Sequence, residues 1–91
     1  RMNKPAMVYA AGQGKAAAIE ALLDGGVAVD AAYEHRLTAL MWAAGQGHVD
    51  AVKVLMKHGA HADLRDDRGL TAAEIARQAG QAAAAVAVAA P

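Results

Sequence analysis

The stretch Trp42-Ala-Ala-Gly-Gln-Gly47 decides the fold, because it repeats Tyr9-Ala-Ala-Gly-Gln-Gly14 at an offset of 33 residues. The same offset relates Gly26 to Gly59, and a fainter third copy begins at Thr71. One spacing held across so many glycines and alanines indicates stacked repeat units, which have periods of this length. The sequence therefore predicts about three copies of one small structural unit.

Within one period the residues predict a helix, a turn, a second helix and a loop. Thr38 can cap a short first helix, and Gly45-Gln-Gly47 breaks it, since glycine tolerates the left-handed backbone of a tight turn. Residues 49–57 then alternate apolar and charged side chains at helical spacing, and Gly59 ends that helix. Residues 61–70 predict an extended turn region. Two helices this short cannot bury their apolar faces alone, so the units must stack.

Two adjoining segments closely resemble the ankyrin repeat: Thr38-Ala-Leu-Met-Trp-Ala-Ala-Gly-Gln-Gly-His48 and Val49-Asp-Ala-Val-Lys-Val-Leu-Met-Lys-His-Gly-Ala60. The resemblance is strongest in this middle repeat. It implies an all-α solenoid of helix–turn–helix units joined by β-hairpin-like loops. The single domain, residues 1–91, would divide into repeats at approximately 4–36, 37–69 and an incomplete 70–91.

The sequence departs from the family pattern at helix starts and hairpins. Ala39 and Met41 stand where the family has Pro and His, and Glu74 takes the His position of the third copy. The hydrogen bonds of that His must therefore be lost or replaced. Arg36 stands where a hairpin glycine is expected, whereas Gly69 keeps it, so we expect the two hairpins to turn differently.

The resemblance implies a protein-binding module that meets its partner through hairpin tips and first helices, on a concave face. Tyr9, Trp42 and Ile75 would form a row there, one residue from each repeat, and aromatic residues are common interface hot spots. A packing role for Tyr9 and Trp42 remains the alternative. The full predicted set is Tyr9, Gln13, Tyr33, Glu34, His35, Arg36, Trp42, Gln46, Arg65, Asp67, Arg68 and Ile75, with the first hairpin tip at 33–36 and the second at 65–68.

Composition argues against other functional classes. Nine basic and nine acidic residues balance, which disfavours a nucleic-acid partner. The chain lacks serine and cysteine, the two commonest nucleophiles, so we predict no enzyme and no cofactor. The run Gly12-Gln-Gly14-Lys15 only superficially resembles a phosphate loop. The candidate metal ligands are His48, His58, His61 and Asp63, and because they offer too few converging groups we predict no metal site.

The last predicted helix, residues 81–90, carries no charge. Ala83, Val86 and Ala90 occupy the positions that Asp50, Lys53 and Lys57 hold one repeat earlier. An apolar outer face favours an alternative function, in which this helix self-associates into a homo-oligomer or docks to the rest of a larger protein.

With no signal or membrane-spanning stretch visible, we favour the cytoplasm and no membrane partner. The alanine richness resembles coding from a GC-rich, bacterial genome.

Overall fold

Within the described part of the chain, three pairs of short helices follow one another, and each pair is joined by a tight turn. The structure is a computed structural model that describes residues 5–89. Short loops also lead from one pair to the next, and the first of them contains the 3₁₀ turn Glu34–Arg36. The α-helices of the described residues are α1 (Ala6–Gly12), α2 (Ala16–Asp24), α3 (Ala39–Gly45), α4 (Val49–Lys57), α5 (Ala72–Gln78) and α6 (Ala82–Ala89).

The helices form two layers. In the inner layer α1 packs against α3, and α3 against α5; in the outer layer α2 packs against α4, and α4 against α6. Each unit therefore contacts its neighbours, as stacked repeats require. Within residues 5–89 there is no β-strand, and the loop before α3 contains a single bridge between Ala32 and Thr38. The all-α solenoid expected from the sequence is confirmed.

The core is deepest in the middle helix pair, which is covered on both sides. Small alanines let these helices approach closely, and larger aliphatic side chains fill the remaining space. Each large side chain that is fully buried contributes roughly 1.5–3 kcal/mol of transfer free energy. The largest fully buried side chains are Ile19, Leu40, Met41, Val52 and Leu55.

The helix starts show how the chain replaces the missing histidine. Thr38 Oγ1 accepts a hydrogen bond from the Met41 N–H at 3.3 Å, and the Thr38 N–H donates to Met41 Sδ at 3.4 Å. One repeat later the Thr71 N–H donates to Glu74 Oε1 at 2.9 Å. Helices α3 and α5 therefore both begin with reciprocal capping. The side-chain acceptor for the threonine N–H is the Met41 sulfur in α3 and the Glu74 carboxylate in α5. Helix α1 follows Pro5 and has no such side-chain cap.

The turns between paired helices also connect successive repeats. Gly14 has a φ of +70°, and a Cβ there would lie 2.5 Å from the Cγ of His48 in the next repeat. The His48 Nε2–H donates to the Gly12 carbonyl at 3.0 Å. Gln81 covers Gly47 in the same way one repeat later. The glycines thus leave room for a side chain that closes each inter-repeat seam.

Helix α4 has the predicted bounds. Helix α6 begins one residue later than the predicted 81–90, and Ala90 lies outside the described residues.

Candidate partner-binding surface

One residue from each inner helix forms a row across the inner layer. Tyr9 of α1 is 57% exposed, and Trp42 of α3 and Ile75 of α5 are half-buried. Trp42 and Ile75 also pack against the core cluster. Both interpretations left open by the sequence therefore apply to Trp42, which contributes to packing and is still partly accessible.

Three adjoining hollows open along this row, and Trp42 lines all of them. The largest, of about 320 Å³, is called the Trp42 groove. Its lining is mainly aromatic and aliphatic, with one carboxylate at the edge. Such a composition suits an apolar anchor flanked by a polar or cationic group. The residues that line the Trp42 groove are Pro5, Val8, Tyr33, Glu34 and Trp42.

Sequence reasoning missed Pro5 and Val8. The period of 33 relates Val8 to Met41, which is fully buried, so the repeat pattern marks Val8 as a core position. Val8 contributes to the groove because α1 lacks an inner helix on its other side among the described residues.

The first hairpin places its polar side chains in solvent and its tyrosine inside. The side chains of Glu34, His35 and Arg36 are 89%, 70% and 68% exposed. Tyr33 was expected at the tip, but it lies at the base of the loop, where its N–H donates to the Leu37 carbonyl at 2.8 Å. Its ring packs against the core, and burial raises the pKa of its hydroxyl.

The backbone of this hairpin is unusual. His35 and Arg36 both have positive φ, 62° and 60°, in the left-handed region that glycine favours. In the second hairpin Gly69 alone has positive φ among residues 65–70. The expectation that the two hairpins turn differently is correct, and the difference lies at His35. Arg36 and Gly69 both have positive φ, whereas Arg68, the counterpart of His35 in the second hairpin, does not.

The second hairpin is organised by the carboxylate of Asp66, which the sequence placed in the tip 65–68 but not among the predicted contact residues. Asp66 is 4% exposed, and its Oδ1 accepts hydrogen bonds from the Arg68 and Leu70 N–H groups at 2.9 and 3.0 Å. The Arg68 guanidinium donates to Asp66 Oδ2 at 2.7 Å. Burial alone would raise the pKa of Asp66, but these hydrogen bonds and the arginine charge together lower it. The signal available was the Asx-turn pattern Asp66-Asp-Arg-Gly69.

The two hairpins are joined to each other. The Asp67 N–H donates to the His35 carbonyl at 3.0 Å, and the Asp67 carboxylate lies 3.9 Å from the Arg36 Nε. Arg65 turns the other way, towards Glu74 at 3.6 Å. The run 65–68 therefore pairs internally only through Arg68 and Asp66. Of the other charged residues in the run, Asp67 contacts Arg36 of the first hairpin and Arg65 contacts Glu74 of α5.

The remaining predicted residues lie as expected on the inner layer. Gln13 and Gln46 are exposed and line one hollow with Tyr9 and Trp42. Arg68 and Ile75 line another with Gln46. The structure thus brings the two glutamines, the row and the hairpins to one face.

The histidines do not converge on a shared metal site. His48 bonds to the Gly12 carbonyl, and the His61 ring bonds to the Asp30 carboxylate. The latter hydrogen bond raises the pKa of His61. His58 pairs instead with Glu20, at 3.2 Å. His48, His58 and His61 are thus each bound to a different group of the first repeat, and within the described residues the four ligands weighed from the sequence form no group of three.

The outer layer ends in an uncharged helix. Val86 of α6 is 69% exposed and Ala83 is exposed as well, whereas Ala84, Ala85 and Val88 are buried. None of the helices of the described residues is long and apolar enough to cross a membrane.

A family model for ankyrin repeats, in three copies, matches residues 7–88. The chain belongs to the ankyrin-repeat family. Ankyrin repeats are generally non-catalytic modules for protein–protein interaction, which confirms the coarse functional class. Among curated protein sequences, none matches this ankyrin-repeat chain.

Among solved structures the chain is similar to the ankyrin repeat domain of human ASB11. The TM-score is 0.86 at 30% identity, and the match covers 94% of this chain. It covers 39% of the human chain, so this chain spans well under half the length of that neighbour. The likeness extends through the whole repeat stack and names no partner for this protein.

Proposed function

We propose that this chain binds another protein through the inner face, with Trp42 at the centre of the contact. The observation that carries the proposal is that Trp42 lines three adjoining hollows between exposed Tyr9 and the two hairpins. Aromatic side chains in partly formed pockets give large contact area for little lost side-chain freedom. The proposed repeat boundaries, 4–36, 37–69 and 70–91, assign one residue of the row to each repeat.

The hairpins would supply the polar edge of the contact. Glu34, His35 and Arg36 are exposed, carry both signs of charge and lie beside the apolar Trp42 groove. An apolar centre with a polar rim is the usual anatomy of a protein interface. Arg65 and Asp67 extend this rim from the second hairpin, whereas Arg68 is held by Asp66.

The test begins with a partner identified by affinity capture and then measured with purified variants. Tyr9→Ala and Glu34→Arg change exposed side chains, so both should leave the helical circular dichroism intact. Each should weaken binding by about tenfold or more, which corresponds to a loss of about 1.4 kcal/mol of binding free energy. Lys53→Ala, at an exposed position of the outer helix α4, is the matched control and should bind as the unchanged chain does. Equal affinities for Tyr9→Ala, Glu34→Arg and Lys53→Ala would refute the inner-face proposal.

A second candidate function rests on α6. Val86 is 69% exposed on a helix with no charged residue, so we propose self-association or docking to another segment as the alternative use of the chain. Analytical ultracentrifugation decides it: the unchanged chain should associate with rising concentration and Val86→Lys should not. Ala83 belongs to the same exposed surface, and Ala90 lies outside the described residues. A strict monomer at high concentration would contradict self-association.

A further inference from the structure

Three potential metal ligands meet on the outer layer, between the first two repeats. Glu20 and Asp24 are four residues apart on α2 and therefore share one face of that helix. His58 caps the end of α4, which packs against α2. The nearest ligand atoms of these three side chains all lie within 4.8 Å of one another.

The spacing is close to that of a coordinated ion. Zinc binds imidazole nitrogen and carboxylate oxygen at roughly 2.0–2.2 Å in tetrahedral geometry, which separates neighbouring ligand atoms by about 3.4 Å. His58 Nε2 and Glu20 Oε2 already lie 3.2 Å apart. Asp24 is exposed at the last position of α2, so a rotamer change can bring its carboxylate closer.

The ligand set selects the class of metal. An imidazole beside two carboxylates suits zinc and neighbouring divalent transition ions, whereas calcium and magnesium prefer oxygen ligands alone. Three protein ligands leave a fourth position for water. Because the ligands come from two repeats, an ion bound here would join α2 to α4 across the seam.

We propose that Glu20, Asp24 and His58 form a site for a divalent transition metal, with zinc as the reference ion, that fastens the first repeat to the second. The site lies on the outer layer, away from the Trp42 groove. It is therefore independent of the proposed partner surface. Binding at this site stabilises the folded stack, because the unfolded chain does not hold the three ligands together.

The Asp30–His61 pair supplies a matched control. It is also an imidazole–carboxylate pair between the same two repeats, in which the His61 ring Nδ1 bonds to Asp30 Oδ2. The His61 backbone N–H donates to Asp30 Oδ1 at 2.9 Å. Within the described residues no third ligand completes a comparable group around it. His61→Ala should therefore leave metal binding unchanged.

Asp24→Ala separates metal binding from structure. A carboxylate at a helix C-terminus opposes the helix dipole, so removing it should maintain or raise stability without metal. If Asp24 is a ligand, the same change must weaken zinc binding. If His58 and Glu20 formed only a structural hydrogen bond, Asp24→Ala would not weaken zinc binding while maintaining the stability of the metal-free protein.

The experiment titrates zinc chloride into the unchanged chain and the variants Asp24→Ala, His58→Ala and His61→Ala by calorimetry, with circular dichroism to verify folding. We expect one zinc per chain, a loss of affinity of at least about tenfold in the first two variants, and no change in His61→Ala. Cobalt in place of zinc should give intense visible absorption from a four-coordinate site. The midpoint of urea unfolding should rise with zinc only where binding is retained. Absence of binding up to millimolar zinc, or equal binding by Asp24→Ala, overturns the proposal.

Discussion

Arg36 occupies a backbone conformation that suits glycine, and replacing it should stabilise the protein. Its φ is 60°, and the equivalent residue of the second hairpin is Gly69, with a φ of 82°. The two loops otherwise close alike: the Arg36 N–H donates to the Tyr33 carbonyl at 2.9 Å, and the Gly69 N–H donates to the Asp66 carbonyl at the same distance. Arg36→Gly should therefore keep the loop and relieve the strain at this position, while His35 keeps its φ of 62°.

The magnitude follows from three opposing terms. A non-glycine residue in the left-handed region costs roughly 1–2 kcal/mol. Glycine offsets about 0.5–1 kcal/mol of the gain, because it has more conformational freedom to lose when the unfolded chain folds. The Arg36–Asp67 ion pair, at 3.9 Å between exposed side chains, adds little. The expected net gain in the free energy of unfolding is about 0.5 kcal/mol, or roughly 2–4 °C in Tm for a domain of this size.

Urea and thermal unfolding followed by circular dichroism provide the measurement, with Arg36→Ala as the control. That variant loses the same ion pair but keeps the strained backbone, so it should be no more stable than the unchanged chain. The difference between the glycine and alanine variants then isolates the backbone term, at roughly 0.5–1 kcal/mol. If Arg36→Gly proves no more stable than Arg36→Ala, the strain argument is refuted.

Three further changes test other contacts. Gly14→Ala should lower the free energy of unfolding by about 2 kcal/mol in urea titrations, because φ is +70° and the new Cβ meets the His48 ring; unchanged stability would contradict that packing. Asp66→Ala should cost about 1–3 kcal/mol in the same assay by leaving loop N–H groups without their acceptor, and a loss no larger than for Asp67→Ala would show that the buried carboxylate is unimportant. Below pH 6.5, the ordinary pKa of histidine, His61→Ala should lower the free energy of unfolding, because the folded protein stabilises the protonated ring beside Asp30. As the pH rises through the raised pKa of the folded protein, the ring loses its proton and the effect of the substitution should become smaller. A difference in Tm that does not depend on pH would contradict this explanation.

The sequence predicted most local features of this chain correctly. The glycine–glutamine–glycine turns, the Thr38 cap and the bounds of α4 all depend on residues within a few positions of one another. Such short-range preferences are present in the unfolded chain and need no partner element. The repeat spacing then ordered the units, because every copy must bury the same face against the next.

The details of the hairpins were less accessible. Tyr33 was expected at an exposed tip, yet its ring packs against the core and its backbone closes the loop. Asp66 was passed over although it holds the second hairpin together. A charged residue in a turn is usually solvated, so its charge alone did not mark Asp66 as buried. Its partners, Arg68 and Leu70, lie within four residues of it, so the signal was local.

The sequence by itself therefore determined the period, the helices and the family of this protein. Tertiary structure alone decided that three hollows share Trp42, that the two hairpins are joined through Asp67 and His35, and that Glu20, Asp24 and His58 meet. Each of these features joins residues of different repeats. Their positions follow from how side chains interdigitate when units stack, which local preference cannot specify. Stacking turns a repeated pattern into surfaces that differ from one repeat to the next.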